Sequence, residues 1–187
     1  MIHNSKFRIN TVRGFTLIEI LIVVAITSLL SAYLILYNGT NRQQVNLSVE
    51  QAKLSQVIFR AKSLAVATAT GGGLVCGYGV YLDYAKSSYA IFRYTQPSCN
   101  SISAIDPADS AHYTQVDSAT LASPLILAKI GNTNLGIVFF KPPNPNTILW
   151  DTDGVIASSG TLTAHLQGSD SSLIATVNVS TAGEISF

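Results

Sequence analysis

The sequence predicts an α+β fold: a long N-terminal helix, membrane-spanning in its first half, packed by its second half on an antiparallel β-sheet head. Three observations carry this expectation. One apolar run occupies residues 15–37 and contains a single charge, Glu19. A helical apolar pattern resumes after Asn41 and halts at Gly71-Gly72-Gly73. Beyond Gly72 the chain turns rich in Ser, Thr, Asn and Gly, with β-branched residues between them. The expected parts are a basic N-terminal segment (1–14), a membrane-spanning helix (15–37), its amphipathic continuation (38–72) and a β-rich globular head (73–187). A chain of 187 residues suffices for one ordinary core plus an anchor, and not for two comfortable cores.

The leader is basic. Lys6, Arg8 and Arg13 precede the apolar run and no acid accompanies them, leaving eight basic residues against ten acidic ones in the rest. A basic flank before a membrane span stays on the cytoplasmic side, so the C-terminal bulk is expected to be exported. The run itself is long enough for a hydrocarbon core of roughly 30 Å. A secretory signal peptide has a shorter apolar region, about 7–15 residues, with its cleavage site after it. Here the run is longer and the cleavage-like feature precedes it. Glu19 is costly inside a bilayer, so it either sits shallow enough to stay wet or has a partner or function.

Asn38-Gly39-Thr40-Asn41 disfavours a helix interior and reads as a helix end or a flexible joint. From Arg42 an apolar face is expected from Val45, Val49, Ala52, Leu54, Val57, Ile58, Ala61, Leu64 and Ala65. Gln44, Glu50, Lys53, Gln56, Arg60 and Lys62 are assigned largely to the opposite face. In the head, 74–82 and 89–94 form an expected hairpin around residues 83–88. Residues 136–140, 147–150, 160–167, 173–179 and 184–187 complete the antiparallel set. Turns are expected at Gly168-Ser169-Asp170 and Thr181-Ala182-Gly183, and a break at Lys141-Pro142-Pro143-Asn144-Pro145. Residues 101–120 read as a polar surface loop.

The string Arg13-Gly14-Phe15-Thr16-Leu17-Ile18-Glu19 closely resembles the prepilin motif of type IV pilin-like proteins. The resemblance implies the pilin fold and cleavage between Gly14 and Phe15 by a prepilin peptidase/methyltransferase on the cytoplasmic side. It also implies N-methylation of Phe15, with Glu19 as the fifth mature residue and the partner of the new α-amine. Its other implied partners are further pilin or pseudopilin subunits, an inner-membrane assembly platform and membrane lipid. The implied location is a single-pass cytoplasmic membrane protein that later joins an extracytoplasmic filament. More narrowly, Phe59-Arg60-Ala61-Lys62-Ser63-Leu64-Ala65 before a glycine break is similar to GspH/FimT-type pseudopilins and minor pilins.

Little points to catalysis, and an enzyme is not expected. His3, His112 and His165 lack metal-ligand spacing, and no cofactor or metal is expected. Gly77-x-Gly79 lies within a strand candidate, where structural glycine is the favoured reading. Asp151-Thr152-Asp153-Gly154 resembles part of a calcium loop but reads better as a turn. Cys76 and Cys99 lie in the exported part, either as a structural disulfide or as two buried thiols. After Lys141 no Lys or Arg follows, while Asp151, Asp153, Asp170 and Glu184 give a formal −4, so no nucleic acid is expected on the C-terminal part of the head. The leading expectation is a filament subunit: a pilin, minor pilin or pseudopilin. The alternative is a membrane-anchored extracytoplasmic ligand-binding protein.

Overall fold

A computed structural model describes residues 15–68, 74–99, 102, 104–142, 146–158 and 160–187, with the side chains of 36–41 outside that description. The leader with Gly14, the glycine stop at 71–73 and prolines 143 and 145 also lie outside the described residues. Two compact units are present, Met1–Asn41 and Arg42–Phe187. Helix α1 is Leu17–Thr68, and its helical backbone runs through 38–41, where a helix end or joint had been the two readings.

Among the described residues the head contains nine strands: β1 (Val75–Asp83), β2 (Ser88–Thr95), β3 (Tyr113–Thr120), β4 (Ile126–Ala128), β5 (Leu135–Lys141), β6 (Asn146–Asp151), β7 (Thr161–Gln167), β8 (Ile174–Ser180) and β9 (Ile185–Ser186). They form two sheets rather than one, ordered β3-β2-β1-β5-β6 and β4-β7-β8-β9. The β1–β2 hairpin turns at 83–88 as expected, where the Asp83 carboxylate accepts the N–H groups of Ala85 and Lys86. Two strands escaped the sequence reading. β3 lies in the segment expected to be a loop, and its residues after Tyr113 are all exposed, so it shows no apolar alternation. Pairing with β2 makes it a strand, a tertiary cause that local pattern does not carry. β4 is only three residues long and rests on β7.

The alternation of a strand splits the head into two cores. From β5, Val138 and Phe140 join Leu54, Ile58, Ala61 and Ala65 of α1, with Val80, Leu82, Ile91, Leu149, Leu162, Leu166 and Val177. Its neighbours Ile137 and Phe139 face the other way, into a smaller cluster with Cys76, Phe92, Tyr94, Ile105 and Trp150. The five-stranded sheet is thus buried on both faces at its centre. Two glycines of β1 permit this packing. A Cβ on Gly77 would collide with the Phe140 carbonyl and the Phe139 ring, and one on Gly79 with the Val138 carbonyl and the Phe92 ring.

The buried face of α1 keeps Leu54, Ile58, Ala61 and Ala65 as expected and differs from the expected one before them. Leu47, Glu50, Leu54, Ser55, Ile58, Ala61 and Ala65 are buried, whereas Val45, Val49 and Ala52 are exposed. Glu50, assigned to the polar face, is only 3% exposed; the Lys53 ammonium at 2.7 Å supplies the countercharge that a buried carboxylate requires. The Ser55 hydroxyl donates to the Gln51 carbonyl, which lets it enter the core.

Candidate functional site

Residues 15–35 are the part of the chain with the most specific chemistry. Leu17–Ile35 is long and apolar enough to cross a membrane, with a mean hydropathy of 2.4, and none of it is buried within the protein. At 1.5 Å per residue it measures about 28 Å, close to a hydrocarbon core. Its hydroxyl groups are turned inward on the helix. Thr27 donates to the Val23 carbonyl at 2.9 Å, Ser28 to Ala25 at 2.9 Å and Ser31 to Thr27 at 2.7 Å. Each of these three hydroxyl hydrogens is thereby satisfied without water, the condition lipid imposes.

The helix begins with a capping box that the sequence reading missed. The Thr16 hydroxyl accepts the Glu19 N–H at 3.3 Å, and the Glu19 carboxylate accepts the Thr16 N–H at 3.4 Å. The Thr16 hydroxyl also lies 3.4 Å from that carboxylate. Two of the N–H groups that every helix start leaves open are closed in this way. The signal was present as Thr-x-x-Glu ahead of an apolar run. Glu19 therefore has Thr16 as a hydrogen-bond partner on its own chain. A negative group at a helix start also meets the positive end of the helix dipole. Phe15 is exposed immediately before this cap, while Gly14 lies outside the described residues.

In the head, Cys76 and Cys99 form a disulfide with their Cα atoms 5.1 Å apart, deciding between the two readings of the cysteines. Cys76 is buried in the outer cluster, so the bond tethers the segment after β2 to the floor it covers. Asp151-Thr152-Asp153-Gly154 is a turn. The Asp151 carboxylate accepts the N–H groups of Asp153 and Val155, and the Gly154 N–H donates to the Asp151 carbonyl. Among the described residues no group of three or more His, Cys, Asp or Glu side chains could hold a metal ion.

The two histidines of the head occupy unrelated surroundings. His112 bonds Asp109 through Nδ1 at 2.7 Å, and this bond holds the Asp109 carboxyl below its ordinary range. His165 lies on β7, where burial pushes its imidazole pKa down. Two basic side chains of the head are engaged locally: Lys86 pairs with Asp83 at 3.5 Å, and Lys129 lies over the Tyr84 ring at 5.8 Å.

Residues 9–35 match the family described as the prokaryotic N-terminal methylation motif, consistent with a type IV pilin-like protein. The match ends with the membrane-crossing stretch and does not reach the head, so the GspH/FimT resemblance gains nothing from it. No curated protein and no solved structure matches the chain. The matched motif is the recognition site of prepilin peptidase, and with the apolar helix it marks a membrane-anchored precursor.

Proposed function

We propose that the chain is a structural subunit of a type IV pilus-like or type II secretion filament, with assembly rather than catalysis as its chemistry. The observation that carries this reading is the methylation motif set directly against an uncovered, membrane-length helix. The basic leader holds residues 1–14 in the cytoplasm, and the peptidase cuts between Gly14 and Phe15 and methylates the new terminus. Methylation leaves that amine protonatable, so the mature helix begins with a cation four residues before Glu19. The head, carried outside the membrane, then travels with the helix from the assembly platform into the filament.

A further feature favours lateral assembly. Val45, Val49, Phe59 and Val66 are exposed apolar residues on the second part of α1, spaced so that a single helix face carries them. An apolar stripe left open in the single chain is suited to a neighbouring helix. Mass spectrometry of subunits from assembled filaments tests the proposal. A methylated Phe15 terminus is expected, and filaments built from chains that retain Met1 would overturn it.

A further inference from the structure

The outer face of the five-stranded sheet holds a cavity of about 450 Å³, open on one side and separate from the processing motif. This size falls within the range of ligand pockets, about 300–1,000 Å³. Strand register explains why a hollow exists. Tyr81, Ala90 and Ser118 stand in one row across β1, β2 and β3, and Asp83, Ser88 and Thr120 in the next. The middle and far strands present small side chains, Ala90, Ser88 and Ser118, as a floor. Tyr81 and Tyr113 rise beside it, and Pro107 closes another side from the segment that follows the disulfide. Tyr113 is braced by Phe92, with ring centroids 4.8 Å apart.

The lining combines two aromatic rings with a spread of hydrogen-bonding types. Asp83 accepts, Gln115 both donates and accepts through a planar amide, and the Ser88 and Ser118 hydroxyls do either. The charged residues of the lining, Asp83 and Lys86, sum to no net formal charge. Asp83 is matched by Lys86, and Asp106, whose carboxylate adds to the upward shift of the Tyr81 phenol, directs one oxygen to the N–H of Ala108 at 2.8 Å. Burial pushes the Tyr113 phenol up to about 12, so it remains an O–H donor at neutral pH. A ligand suited to this lining is uncharged, has faces of C–H groups for electron-rich rings, and has edges dense in hydroxyls.

We propose that this cavity is a binding site for a neutral saccharide. The inference does not depend on the filament reading, because the site lies wholly within the head.

The test uses the full mature chain in lipid nanodiscs, which avoids glycoside detergents that would themselves be ligands. Saturation-transfer NMR is recorded with cellobiose, maltose, lactose and diacetylchitobiose, and with tetramethylammonium as a cationic probe. Saturation transfer to at least one disaccharide is expected. Gln115→Ala should weaken it about tenfold or more, as expected for a lost network of polar contacts. Ser118→Trp, which fills the floor, should abolish it. Both positions are exposed on β3, so the head should melt as the parent does; Thr163→Ala on the other sheet should bind as the parent does. Absence of transfer from all four sugars, transfer untouched by both β3 variants, or tetramethylammonium binding in the sugars' place would overturn the proposal.

Discussion

Residues 17–35 and 42–68 of α1 share a backbone conformation and little else. In the first stretch every residue is exposed, and the polar side chains Thr27, Ser28 and Ser31 turn back onto helix carbonyls. In the second, Leu47, Leu54, Ile58, Ala61 and Ala65 form a buried spine, and polar groups such as Gln51 and Lys62 reach carbonyls on β8 and beside β9. The difference lies in what completes the helix. The membrane-length stretch turns its Thr27, Ser28 and Ser31 hydroxyls onto its own carbonyls and leaves its apolar surface uncovered. The head-bound stretch obtains its stability from tertiary packing. Substitutions in the two stretches should therefore fail in different assays.

The largest effect is expected at Glu19. Glu19→Ala should insert normally, or better, yet enter filaments about tenfold less, because a charge-assisted contact is worth about 1.5–3 kcal/mol. Glu19→Gln separates the two roles of this side chain, since glutamine also completes a capping box. Quantified filament yield should place Glu19→Gln with Glu19→Ala; a yield equal to that of the parent would assign the residue to capping alone. Next comes a matched pair of isoleucines. Ile58→Ala should lower head stability by about 2–5 kcal/mol in a denaturant melt, whereas Ile22→Ala should leave that melt unchanged. Equal losses from the two would erase the contrast between the stretches.

Removing the disulfide with Cys76→Ser and Cys99→Ser should cost about 3 kcal/mol for a loop with a sequence separation of 23 residues. Hydrogen exchange should locate the loosening around Ile105 and Tyr94 rather than along α1, and uniform loosening would contradict the division into two cores. Arg60→Ala should have the smallest effect. Its ion pair with Asp117 links α1 to β3, but both side chains are about half exposed, so a loss below about 1 kcal/mol is expected, shrinking further in high salt. A salt-insensitive loss would point to packing of the arginine stem instead.

How much was legible beforehand follows from which forces act locally. The anchor was readable because length, hydropathy and a fixed motif are properties of consecutive residues. The strands β1, β2, β5, β7 and β8 were readable because their β-formers are bounded by turn residues. β3 was not, since Tyr-Thr-Gln-Val-Asp-Ser-Ala-Thr at a sheet edge carries no apolar face and depends on β2 for its shape. Helix periodicity showed that α1 would bury one side, but the head decides which side, and it selected Leu47 and Glu50 over Val45 and Val49. The Thr16–Glu19 cap is a local signal as well, Thr-x-x-Glu ahead of an apolar run. The saccharide cavity had no sequence signal, as its rows exist only once three strands are in register.

Because β5 faces two ways, the head need not be completed all at once. Its inner side closes against α1 and the second sheet through carbon packing that requires no particular compartment. Its outer side closes under a segment moored by a bond that persists only in oxidising surroundings. A reduced chain would keep Phe92, Phe139 and Trp150 packed on one another, with the segment that carries Ile105 and Pro107 held less firmly over them.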